Sequence, residues 1–174
     1  MKPHFYLLIA LSGLFITSSA QQINAIKIGS QTWTMSNLNI VVPGSWNYND
    51  DPKMGSKYGR LYTYEAAKNV CPSGWRLPTV KDWTELLGKL GGEDMAAPMM
   101  LKSSGEGGFN AKLSGLATIG NYQLIDNYGA FWTATENDKD NAWYLYFTSK
   151  SSLVTTSFSV KSHGLSVRCI KGAK

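Results

Sequence analysis

Apolar and polar positions alternate along "IKIGSQTWTMSNL", with a break at Gly29-Ser30. That pattern predicts a β-hairpin across residues 26–40, with Ile26, Ile28, Trp33 and Met35 facing inward. Residues 41–59 show no period and are rich in Pro, Gly, Asn, Asp and Tyr, so they read as a surface loop. "GRLYTYEAAKNVC" starts extended and turns helical, with Thr63 as N-cap of a helix from Tyr64 to Val70 that Pro72 stops. The clearest helix follows. Thr79 is an N-cap and Asp82 a capping-box partner; Trp83, Leu86, Leu87 and Leu90 repeat at helical spacing, and Gly91-Gly92 end the run. A short helical turn is expected over Ala96 to Ser103, its start limited by Pro98.

Residues 104–128 are glycine- and asparagine-rich and read as irregular, with one short strand near Tyr122 to Ile125. Four strands are then predicted: "GAFWTATE", "AWYLYFTS", "SLVTTSFSV" and "GLSVRCIKG", with turns at Asp138–Asn141 and Lys150–Ser152. The aromatic–leucine stripe of the second helix is core, and Trp75 and Trp83 are assigned to the interior.

Composition changes the picture at the N-terminus. Lys2 and His4 precede an apolar run from Phe5 to Ile16, and Thr17-Ser18-Ser19-Ala20 supplies small residues. This reads as a secretory signal peptide over residues 1–20 cleaved after Ala20, the run being too short to span a bilayer. An uncleaved anchor is the alternative. Residues 21–174 then form a single domain of one core's worth of chain, with no second long apolar run and hence no transmembrane segment. The expected location is extracellular, at the cell surface or periplasmic. The formal charge of +5 falls to +4 without Lys2, and the three arginines, Arg60, Arg76 and Arg168, are scattered. With no basic stripe interleaved with aromatics, nucleic acid is not an expected partner.

Cys71 and Cys169 are the only cysteines. In an exported chain they favour one disulfide closing a long loop over a metal site or a catalytic thiol. His163, the one histidine beyond residue 20, completes no convincing zinc set and no Ser–His–Asp arrangement. No catalytic residue, metal or cofactor is assigned.

Glu136, Asn137, Asp138, Asp140 and Asn141 are the densest oxygen-bearing group. They suit either a calcium loop or a polar hairpin turn. Tyr144 and Tyr146 lie on the strand face opposite Trp143, Leu145 and Phe147. The second set is assigned to the core, and the tyrosines, with the polar group, form the candidate ligand-binding set. Trp46, Tyr48 and Asn49 are further loop candidates for contacting a partner or covering an edge.

Several segments together resemble the Fibrobacter succinogenes major paralogous domain family of bacteria: "QTWTMSNLN" (31–39), "YGRLYTYEAAKNVCPSGWRLPTVKDWTELLGKLGG" (58–92), "FWTATEND" (131–138), "NAWYLYF" (141–147) and "GLSVRCIKG" (164–172). The resemblance implies an α+β, C-type-lectin-like fold. Two helices, at about 64–70 and 79–91, flank a small antiparallel sheet, and the N- and C-terminal segments meet. It also implies that Cys71–Cys169 joins the first helix to the last strand. The calcium-binding motifs of sugar-binding C-type lectins, Glu-Pro-Asn or Gln-Pro-Asp followed by Trp-Asn-Asp, are absent from the sequence. The function expected is a secreted or cell-surface, non-catalytic binding or adhesion module for an extracellular protein or carbohydrate, with contacts from loops 104–128 and 134–142. The alternatives are a self-associating structural component of a surface or matrix and, more remotely, a relative of the sulfatase-modifying, formylglycine-generating enzymes.

Overall fold

The computed structural model describes residues 23–103 and 108–172; the signal-peptide reading of residues 1–20 lies outside them. The predicted hairpin forms from β1 (Ala25–Ile28) and β2 (Gln31–Thr34). Its turn needs Gly29, which sits at φ 58°. The pairing stops at Thr34, earlier than the alternation suggested, because Asn37 and Leu38 turn to the C-terminal segment. Leu38 N–H donates to the Val167 carbonyl.

Residues 41–59 are not a plain loop. They hold β3 (Ser45–Trp46), a 3-10 turn at Tyr48–Asp50 and helix α1 (Pro52–Tyr58). Asp51 caps α1 by accepting from Lys53 N–H at 2.9 Å, and Pro52 occupies the first turn, where no N–H is required. The helix is too short to show a period. β4 (Leu61–Tyr62) pairs with β3. Helix α2 (Tyr64–Val70) starts at Thr63 as predicted, the hydroxyl accepting from Ala66 N–H.

After β5 (Trp75–Arg76), helix α3 (Val80–Lys89) carries the full capping box between Thr79 and Asp82. Trp83, Leu86, Leu87 and the following Leu90 are buried. Trp75, expected in the core, is only half-buried, because β5 is the outer strand of its sheet. Helix α4 (Ala96–Leu101) tolerates Pro98 inside its first turn.

The irregular stretch contains a small hairpin, β6 (Leu116–Thr118) and β7 (Asn121–Gln123), in place of one strand to Ile125. Leu124, at φ 63°, ends β7. The long strands β8 (Tyr128–Glu136), β9 (Asn141–Thr148) and β10 (Val154–Val160) form a three-stranded antiparallel sheet in the order β10-β9-β8.

The C-terminal segment is not one continuous strand. It stitches sheets together: Leu165 bridges Tyr62, Ser166 bridges Phe131, and only Ile170–Lys171 forms β11. β11 lies between β2 and β5, so the two ends of the described chain meet at the Ile170–Trp33 pair. Cys71 and Cys169 form the disulfide, across a separation of 98 residues.

The three-stranded sheet is the middle layer. One face carries Phe131, Leu145, Phe147 and Val154 against Trp83, Leu86 and Leu87 of α3 and Ala97 and Met100 of α4. The other carries Ala130, Trp132 and Ala142 against Tyr64 and Ala67 of α2 and Leu165 and Val167. The fold is thus mixed α and β, with four α-helices and four small antiparallel sheets among the described residues rather than two helices on one sheet.

Candidate functional site

The predicted polar group caps the β8–β9 hairpin. The Asp138 carboxylate accepts from the backbone N–H groups of Asp140 and Asn141, both at 2.8 Å, and from the amides of Asn137 and Asn141. The Asn141 amide, then these other donors, holds its carboxyl below the usual carboxylate range. Glu136 points elsewhere: it accepts from Lys161 Nζ at 2.9 Å and lies 3.5 Å from Lys68 Nζ, and Lys161 lowers its pKa. Asp140 faces solvent, 3.7 Å from Lys139. Among the described residues no three His, Cys, Asp or Glu side chains gather as a metal site. The oxygens needed for a calcium shell are spread over a turn and an ion-pair cluster.

Tyr144 and Tyr146 do share a face, as predicted, but neither stands free. Tyr146 stacks on Tyr128 at 5.1 Å and lies 5.7 Å from Tyr144, while the Tyr128 and Tyr144 hydroxyls are 3.1 Å apart. All three are half-buried on the second core layer. On the opposite face Leu145 and Phe147 are buried as expected, but Trp143 is half-exposed against Phe158. Among the described residues, the grooves at Trp46–Tyr122, Val42–Val70 and Ile23–Pro72 are lined by neither tyrosine and not by Asp138.

A groove forms elsewhere, between the β3 arm, the β6–β7 hairpin and the turn after β10. Its volume is about 480 Å³, and its walls include Trp46, Asp50, Thr118, Asn121, Tyr122 and Ser162. Three local features build it. First, Asn49 and Asp50 both take left-handed backbone conformations, φ 53° and 55°, a strained pair of the kind concentrated at functional sites. That bend carries the Asp50 carboxylate to the Tyr122 hydroxyl, which donates to it at 2.7 Å. Burial, then Asp50, pushes the Tyr122 pKa up to about 12. Second, the Tyr122 ring packs on the buried Tyr48 at 5.3 Å, which fixes its plane. Arg60 locks the arm by donating to Ser45 Oγ, Asn47 Oδ1 and the Ser45 carbonyl.

Third, Gly164 and Ala117 exchange backbone hydrogen bonds at 2.8 and 2.9 Å, joining the turn to β6. A Cβ on Gly164 would lie 3.0 Å from Ala117 Cβ and 3.3 Å from the Trp46 ring, so glycine is what lets the floor close. Ile119, 88% exposed, forms part of the rim. The groove therefore offers two aromatic rings, a carboxylate, an amide and three hydroxyls, of which Tyr122's already donates to Asp50.

Sequence reasoning singled out Trp46 and Tyr48, and it placed the second loop cluster at 104–128. It missed Asp50 and assigned Tyr122 only to a strand. The readable signal was "WNYND", an aromatic pair interleaved with amides and a carboxylate.

Compared with known proteins, the sequence model of the Fibrobacter succinogenes major domain matches residues 26–171. No curated protein and no solved structure matches the chain. The match spans most of the chain, which belongs to that family.

Proposed function

From this member of the Fibrobacter succinogenes major domain family, we propose a secreted or cell-surface, non-catalytic binding or adhesion module whose ligand seat is the Trp46–Tyr122 groove. The observation that carries the reading is the groove's mixed chemistry. Trp46 and Tyr122 present π faces, which attract the weakly positive C–H face of a sugar ring. Asp50, Asn121, Thr118 and Ser162 supply acceptors and donors at the same wall. A carbohydrate suits this combination better than an extended peptide, which would draw on a sheet edge. Recognition here needs no calcium. The Glu136–Asn141 turn with Tyr144 and Tyr146 is the alternative seat.

Export by a signal peptide at residues 1–20 belongs to the same proposal. The disulfide supports it, since such bonds persist in oxidising compartments, and no described helix is long and apolar enough to cross a membrane. A C-type-lectin-like arrangement is part of it too, supported by the meeting of the chain's two ends at β2 and β11. Both cysteines are engaged in one bridge, which leaves neither as the reactive thiol that formylglycine-generating chemistry needs.

The test is a glycan and surface-protein array probed with the oxidised protein, with calcium and with chelator. Glycan binding that survives chelation and is lost in Trp46→Ala supports the reading. Binding that chelation abolishes moves the seat to the Glu136–Asn141 turn, and capture of proteins alone overturns the carbohydrate assignment.

A further inference from the structure

The Trp46–Tyr122 groove has a sign. Among the described residues that line it, Asp50 carries the one formal charge, and no lysine or arginine stands in the wall. Asp50 is exposed, and among the described residues no ion pair reaches its carboxylate. It accepts from the Tyr122 hydroxyl through Oδ1, which leaves Oδ2 for a ligand's donor. Basic residues around the groove are turned elsewhere. Arg60 is close enough for its charge to act on Tyr122, but its guanidinium donates to Ser45 and Asn47. Lys161, next to Ser162 in the chain, donates to Glu136 and the Lys139 carbonyl.

The strained pair Asn49–Asp50 holds this carboxylate beside two rings. An ammonium group is drawn to the π face of tryptophan or tyrosine as well as to a carboxylate. Donation by the Tyr122 hydroxyl to Asp50 shifts electron density into the phenol ring and strengthens its attraction for a cation. A neutral hydroxyl gains from the carboxylate only a hydrogen bond, whereas a cation gains from its charge and from both rings. An anionic sugar meets a like charge there. We infer that the groove selects amino sugars, taking a glycan whose ammonium group sits on Asp50 against Trp46 and Tyr122. This inference rests on the carbohydrate reading of the groove and narrows it to one class.

The charge of the whole chain makes the choice a sharp one. At a formal +5 the protein repels a cationic glycan and attracts a uronic or sulfated one. A preference for the cationic glycan therefore has to come from the local arrangement at Asp50, and it runs against the preference that net charge alone would set. An exposed carboxylate by itself contributes little to an ion pair. The two ring faces supply the rest, so the preference depends on Trp46 as well as on Asp50.

The test is calorimetry of the oxidised protein, in chelator and mildly acidic buffer, with an oligomer of glucosamine and its N-acetylated counterpart of equal length. The wild type is expected to bind the glucosamine oligomer about fivefold or more tightly than the N-acetylated one, and added salt is expected to shrink the difference. Asp50→Asn, which keeps an acceptor for Tyr122 and a residue suited to the left-handed bend, is expected to abolish the preference. Asp94→Asn, an exposed acid outside the groove, is expected to leave it unchanged. Circular dichroism and thermal melting check that Asp50→Asn keeps its fold. Equal affinity for the two oligomers, no binding of the glucosamine oligomer, or a preference that survives Asp50→Asn overturns the inference. The groove reading still stands in those cases if a neutral glycan binds and is lost in Trp46→Ala. Glucosamine binding that Trp46→Ala leaves intact places the ammonium elsewhere and overturns the inference, as does a lysine oligomer bound as tightly as the sugar.

Discussion

The guanidinium of Arg168 lies 4.5 Å from the centre of the Phe109 ring, with no solvent exposure and no ion pair among the described residues. Its donors go to neutral acceptors: Asn37 Oδ1 at 2.8 Å, the Thr34 carbonyl at 2.6 Å and the Asn110 carbonyl at 2.7 Å. Burial pushes its pKa down, while three acceptors and an aromatic face compensate the charge. Arg168 thereby ties β2, the segment before β6 and the C-terminal stitch into one unit.

Replacing it breaks that unit. Arg168→Met leaves three acceptors unpaired, the Asn37 and Thr34 oxygens in buried hydrogen bonds and the Asn110 carbonyl in a part-buried one, and is expected to cost about 3 kcal/mol. Arg168→Lys is expected to lose nearly as much, because one ammonium cannot span the three acceptors of a planar fork. Urea unfolding checks both: the midpoint falls at unchanged slope. A loss under about 1 kcal/mol for Arg168→Lys contradicts this account of the fork geometry.

The pair Arg76–Asp82 sets an acid limb of stability. Partial burial disfavours the Asp82 carboxylate, but two hydrogen bonds from Arg76, at 2.7 and 2.8 Å, and the Thr79 hydroxyl and N–H outweigh it and hold the pKa at about 2. A carboxyl depressed from its ordinary 3.8 stabilises the fold above that value, and the gain is lost as pH falls toward 2. The expected contribution is roughly 2 kcal/mol. Asp82→Asn removes it, along with the capping box, and flattens the stability–pH curve between about pH 4 and 2 relative to wild type. Chemical denaturation across that window measures the difference.

The Cys71–Cys169 bridge closes a 98-residue separation. Chain entropy alone gives it about 4–5 kcal/mol. Cys71→Ser with Cys169→Ser is expected to fold weakly, with its thermal midpoint lowered by about 10 °C or more. Calorimetry of oxidised and reduced protein checks the same quantity without substitution.

Where one periodic signal decided an element, the sequence was enough. Thr79, Asp82 and the Trp83–Leu90 stripe defined α3, and Gly29 defined the first turn. Helix α1 escaped because seven residues with Pro52 and Gly55 show no amphipathic period. The final segment looked like a strand because Leu165, Val167 and Cys169 alternate with polar Ser166 and Arg168, yet both sets are buried, because the segment threads between sheets. The groove was only half legible. Trp46 and Tyr122 are 76 positions apart, and it is the left-handed bend at Asn49–Asp50, invisible to hydrophobic pattern, that brings Asp50 and Tyr122 together.

The most direct test of the binding-module account is the affinity for the best array-identified glycan, measured by calorimetry in chelator for wild type, Tyr122→Ala and Tyr144→Ala. The account predicts that Tyr122→Ala weakens binding about tenfold or more while Tyr144→Ala leaves it within about twofold. Equal affinity for wild type and Tyr122→Ala, or loss confined to Tyr144→Ala, contradicts it.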